Sequence, residues 1–160
     1  MERALIDNEW LAVELPEGFD LIAHDELESL MGISYDCMWG ARDAAKHMLI
    51  TVTWKDSNKL ATKLASEKGL AERVDKTFAR RYRKGGYRCD GFFQRTVSGA
   101  SAQAYGFRFS CVVEDIDHEG EALVFKRGIR CYTLCYYTQS ATAQDNQPVY
   151  EGIAESLEVL

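Results

Sequence analysis

Arg80, Arg81, Arg83 and Lys84, with Arg88 just beyond them, are the densest set of chemically capable side chains in this chain. Guanidinium and ammonium groups this close together can hold carboxylates or phosphoryl groups through charge-assisted hydrogen bonds. They fall at the end of a helical pattern, where cations also complement the helix macrodipole. The cluster therefore has two readings, an anchor for an acidic peptide or phosphorylated group of a partner, or a solvated helix terminus.

Catalytic chemistry has less to stand on. His24, His47 and His118 are the side chains whose unperturbed titration falls near neutral pH, and nothing in the sequence ties any of them to a nucleophile. The chain has no G-x-S-x-G, H-E-x-x-H, G-x-x-x-x-G-K-[ST] or G-x-G-x-x-G. No catalytic residue is assigned and no cofactor is expected. Asp115-Ile-Asp-His-Glu-Gly120 resembles the first half of a calcium loop, but the twelfth position, which should be a bidentate acid, is Lys126. A solvated hairpin loop is the expected form there, and no metal is expected.

Cys37, Cys89, Cys111, Cys131 and Cys135 make an odd count at spacings that fit no secreted disulfide framework. On a strand, Cys131 and Cys135 would lie about 13 Å apart, too far for a disulfide or a shared zinc ion. Buried, reduced thiols in a cytoplasm are the expected state. Tyr35, Trp39, Trp54 and Phe107 are candidates to line a closed aromatic pocket, and they carry the competing reading of a small-molecule-binding protein or enzyme.

At 160 residues, 46% hydrophobic, the chain suits a single domain, 1–160, burying roughly 68–70% of its unfolded surface. A formal charge of −6 is the wrong sign for general nucleic-acid binding. The opening MERALIDNEW carries acids where a signal peptide needs a basic run, and no apolar stretch is long enough to cross a membrane. A soluble cytoplasmic protein, with neither nucleic acid nor membrane as partner, is expected.

Several elements must position these groups. Trp10–Leu15 alternates as a strand and ends at the Pro16-Glu17-Gly18 turn, and Asp25 with Glu28 resembles a capping box before a helix of about two turns. Ile33–Trp39 and Met48–Trp54 read as strands joined by a polar loop over Gly40–Lys46. Leu60, Leu64, Ala71, Val74, Phe78 and Tyr82 form a helical stripe behind the capping residues Asp56, Ser57 and Asn58, with a kink or break expected near Gly69. Tyr87–Val97 and Gln103–Val113 are strands. Glu121–Ser140 is the longest strand-like stretch, with apolar groups on both parities as in a central strand and Gly128 marking a bulge or close contact. Gln147-Pro148 opens a last helix whose stripe is Val149, Ile153 and Leu157.

The predicted fold is α+β, an antiparallel sheet of about six strands with helices packed on its faces. Tyr105, Phe107, Phe109, Val113, Phe125 and Ile129 should contact Val74, Phe78, Val149, Ile153 and Leu157. The element order, the opening Trp10-Leu-Ala-Val-Glu-Leu-Pro-Glu-Gly-Phe19 and the ending Arg130-Cys-Tyr-Thr-Leu-Cys-Tyr136 with Tyr150–Leu157 resemble the PsbP-like fold. That fold is shared by a photosystem protein, a Ran-binding nuclear-import factor and small bacterial proteins of unknown role. The resemblance implies a scaffold whose members bind partners rather than share one reaction. A non-enzymatic binding or adaptor module for a protein partner is the leading expectation.

Overall fold

A computed structural model of the chain describes residues 1–32, 37–57, 60 and 64–160. Strands β1 (Glu2–Ile6) and β2 (Leu11–Leu15) form a hairpin, and the short β3 (Asp20–Leu21) and helix α1 (His24–Met31) follow. Strands β4 (Met38–Asp43) and β5 (Met48–Asp56) precede helix α2 (Glu67–Arg81). Four long strands come next: β6 (Arg88–Arg95), β7 (Ala104–Val113), β8 (Ile116–Arg127) and β9 (Arg130–Gln139). Helix α3 (Ala143–Ser156) and β10 (Glu158–Val159) close the chain.

The large sheet is antiparallel in the order β3-β4-β5-β9-β8-β7-β6, and a small sheet has the order β1-β2-β10. Side-chain alternation divides the core in two. On one face Leu123, Phe125, Tyr132, Leu134 and Tyr136 pack with Leu11, Val13, Tyr150, Ile153 and Leu157 from the small sheet and α3. On the other, Phe107, Phe109, Ala122 and Cys135 pack with Phe78 of α2, and Val74 and Tyr82 lie against them. Helix α1 shares this second face, with Leu27 seated over Gly40.

Several expectations are corrected. The Glu121–Ser140 stretch is two strands, not one: Gly128, at φ +61, makes a tight turn between Arg127 and Arg130 instead of a bulge. The loop expected over Asp115–Gly120 is a strand from Ile116 onward, because Glu114 and Asp115 both adopt positive φ and turn the chain in two residues. The loop expected over Gly40–Lys46 is strand as far as Asp43. Leu60 and Leu64 are helical and Ala65 and Ser66 are not, so the break expected near Gly69 falls just ahead of it; helix α2 begins beyond Ser66, whose hydroxyl accepts the Gly69 N–H at 3.1 Å, and Gly69 sits in its first turn. Leu60 and Leu64, 68% and 78% exposed, are outside the stripe. Ile129 and Val113, each 38% exposed, are outside the core. Helix α3 starts at Ala143, four residues before Gln147, and carries Pro148 within it. Asn146 ties it down, donating to the Lys46 carbonyl at 2.7 Å and to Thr138 Oγ1 at 2.9 Å. Tyr35, Asn58 and the Ile33–Asp36 part of the second expected strand lie outside the described residues.

Candidate functional site

The end of α2 is fixed by an aromatic ladder. The Phe78 ring meets Phe109 edge-on at 5.3 Å and Tyr82 at 6.0 Å, and Tyr82 stacks on Tyr87, which stacks on Phe109. Tyr87 donates its hydroxyl to Asp75 Oδ1 at 2.6 Å, joining the start of the next strand to the helix. Burial and then that carboxylate push the Tyr87 phenol far above its ordinary pKa. The α2 backbone ends at Tyr82, a 3-10 turn covers Arg83–Gly85, and Gly86 at φ +61 redirects the chain into β6.

This turn delivers the basic residues to the tip of the β7–β8 hairpin. Arg80, Arg81, Tyr82, Arg83, Lys84 and Gly85 line a shallow depression with Val112, Val113 and Glu114. Val112, Val113 and Ile116 are 39%, 38% and 44% exposed. Cations thus stand beside a small apolar patch, with Glu114 and Asp115 at its apex. Arg81 holds its guanidinium over the Phe78 and Tyr82 rings at 5.4 and 5.9 Å, so part of its role is packing. Arg80 reaches Thr77 Oγ1 at 3.4 Å. Arg88 is not brought into the cluster. Its neighbour Cys89 faces the α2 side, which leaves Arg88 on the opposite parity, paired with Asp90 at 2.6 Å.

The aromatic candidates do not converge. Trp39 and Trp54 pack against the core beneath α3, whereas Phe107 belongs to the core beneath α2 on the other side of the sheet. The three histidines are equally dispersed: His24 pairs with Glu28 at 2.8 Å, His47 occupies the β4–β5 turn, and His118 contacts the Ile116 carbonyl at 2.8 Å. Burial pushes the Cys131 thiol up to about 11 and the Cys135 thiol up to about 12, away from nucleophilic use at neutral pH. Among the described residues no group of three or more His, Cys, Asp or Glu side chains is placed to hold a metal ion.

One polar group was missed by sequence reasoning. Glu121, 1% exposed, accepts from Arg108 Nε at 2.8 Å and from Gln147 Nε2 at 3.1 Å, and Gln147 also donates to Glu151, which pairs with Arg95 at 2.8 Å. This network joins α3 to strands β6, β7 and β8 beneath a shallow surface depression lined by Glu119, Ser140, Gln144 and Gln147. The available signal was an acid at a core parity, since Glu121 shares its side of β8 with Leu123 and Phe125.

An antiparallel sheet with helices packed on both of its faces and a small second sheet defines an α+β architecture of the PsbP-like class. The chain has the PsbP-like fold. Cyanobacterial PsbP (CyanoP) from Synechocystis superposes with a TM-score of 0.73 and 16% identity over 99% of this chain and 92% of that one. LpqN, involved in cell envelope biogenesis of Mycobacterium tuberculosis, gives 0.57 and 12% identity over 92% and 82%. The Saccharomyces cerevisiae Ran-binding protein Mog1p gives 0.56 and 8% identity over 99% and 94%. Identities this low define the fold alone. No protein-family model matches the sequence, and no curated protein matches it. No helix among the described residues is long and apolar enough to cross a membrane.

Proposed function

We propose that this chain is a non-enzymatic binding module that docks an acidic protein partner at the end of α2. The observation that carries this reading is the meeting of Arg80, Arg83 and Lys84 with the exposed Val112 and Val113 at the hairpin tip. Apolar contact supplies burial and the cations supply steering and register. Mog1p, a Ran-binding protein, gives precedent for a protein-binding role on this scaffold. Five free thiols suit a reducing compartment such as the cytoplasm. The alternative of an aromatic-lined enzyme pocket draws no support from Trp39, Trp54 and Phe107, which face different sides of the sheet.

The test is affinity capture from cell extract on immobilised wild-type protein and on a variant carrying Arg80→Gln, Arg83→Gln and Lys84→Gln, with captured proteins identified by mass spectrometry. A protein captured by the wild type and lost from an equally folded variant supports the reading. Identical capture profiles contradict it.

A further inference from the structure

Strand β6 is the outer edge of the large sheet: Arg88–Arg95 pairs with β7 and, among the described residues, with no other strand. An unpaired edge presents a row of backbone N–H and C=O groups that can template another strand, and native edges are commonly blunted by bulges, charges or a covering element. Here the blunting is confined to one end. The register shifts between Cys89 and Gly91, where Gly91 takes φ +130, whereas Gly91–Arg95 pairs residue for residue with Arg108–Ala104. Five regular residues are left with an open side. Phe92 lies among them, 44% exposed even though its ring is 5.7 Å from that of Phe107. The other parity is already occupied, because Arg108 and Arg95 lie over the Phe93 ring at 5.1 and 6.0 Å. The edge therefore offers one apolar contact, on the α2 side.

We infer that Gly91–Arg95 accepts an extended segment of the protein partner as an additional antiparallel strand, with an apolar side chain beside Phe92 and carboxylates that reach Arg83 and Lys84. The carboxylate half of this inference rests on the proposed docking role of the basic helix end. Antiparallel addition continues the pattern of the sheet and is the more stable pairing per residue. In that direction the incoming segment runs from Arg95 towards Arg88, so its C-terminal end arrives where β6 leaves the Arg83–Gly85 turn. At a rise of about 3.4 Å per residue, acids about three to five positions after the apolar residue would meet those cations. A second copy of this chain is a poorer occupant, because antiparallel pairing of two whole β6 strands sets Arg88 opposite Arg95 and places like charges together.

The probe is a synthetic acetylated peptide of about five alternating valines and threonines followed by about four glutamates, compared with the same peptide N-methylated at alternate nitrogens. N-methylation removes ladder donors without altering side chains. The expected result is binding of the first peptide, slowed amide exchange within Gly91–Arg95 by NMR, and affinity at least about tenfold weaker for the methylated peptide. Failure of the first peptide to bind overturns the inference. So does equal binding of both peptides, or protection confined to Val112–Ile116; either of these leaves the basic end as a docking site without strand addition. Protection of β6 that is unchanged by Arg83→Gln and Lys84→Gln overturns the carboxylate half and counts against the basic end. Self-association through β6 in sedimentation, with no peptide bound, also overturns the inference.

Discussion

The backbone of Gly85 presses directly against that of Val112: a Cβ at Gly85 would collide with the Val112 carbonyl oxygen and lie 3.1 Å from its nitrogen. This contact fixes the basic turn to the hairpin tip, because the obstructing atoms are main chain and cannot swing aside. Gly85→Ala should therefore cost about 1–3 kcal/mol, the usual range for forcing extra volume into a packed site, and shift the amide resonances of Val112 and Val113. A denaturation midpoint and a two-dimensional amide spectrum check both. An unchanged spectrum would mean that the helix end and hairpin are not held together there.

The two cores make separable predictions. Phe109→Ala, under α2, and Ile153→Ala, under α3, should each cost about 2–5 kcal/mol through lost burial and a cavity. Because the sheet separates the two sites, the double variant should lose the sum of the single losses to within about 0.5 kcal/mol. Ile129→Ala and Val113→Ala, at exposed positions, should change stability by less than about 0.5 kcal/mol in the same urea titrations.

All five cysteines are free, with Cys111 and Cys135 buried and Cys37, Cys89 and Cys131 partly covered. Thiol titration of the denatured, non-reduced protein should count five. In the native state Cys135 and Cys111, withdrawn from solvent and held protonated by burial, should react most slowly with a thiol reagent. Rapid modification of Cys135 in the folded protein would contradict its place beneath α2.

Asp43 gives the fold a defined acid response. Burial alone would raise its carboxyl pKa, but hydrogen bonds from the Lys46 side chain at 2.8 Å and main chain at 3.1 Å, with the ammonium charge, outweigh burial and lower it. A carboxyl whose folded pKa lies below its unfolded value of about 3.9 contributes stability that is present above that value and is lost as pH falls through the folded pKa. The stability difference between wild type and Asp43→Asn should be constant from about pH 5 to pH 8 and shrink below about pH 4. A difference independent of pH down to about pH 2 would contradict the Lys46 contact.

Strong local periodicity made much of this fold legible. Alternation of Tyr105, Phe107, Phe109 and Cys111 marks β7, and the Val74–Phe78–Tyr82 spacing marks α2 and points it at those aromatics. Elements whose stability comes from distant partners were not legible. Strand β1 buries only Ala4 and Ile6 and is held by β2, while β10 is two residues long and exists because Glu158 and Val159 pair with Ala12 and Leu11. The Gly128 turn was hidden because the strands on its two sides share a continuous apolar pattern. For the candidate site, Arg80–Lys84 stood out as a charge cluster, but its apolar half did not. Val112 and Val113 are about thirty residues downstream, and Val113 reads as core until the turn at Glu114–Asp115 leaves both at a tip.

The measurement that bears most directly on the docking role is the salt dependence of affinity for the captured partner, compared between wild type and the Arg80→Gln, Arg83→Gln, Lys84→Gln variant. Exposed charge pairs are screened over about 8–10 Å at 0.1–0.15 M salt. The wild-type dissociation constant should therefore rise with salt, and the variant should bind more weakly with a shallower salt slope and nearly unchanged stability. If the variant binds as the wild type does, with the same slope, and loses only the roughly 0.3–1 kcal/mol of a missing helix-end cation, the cluster is a solvated helix terminus and the docking role is wrong.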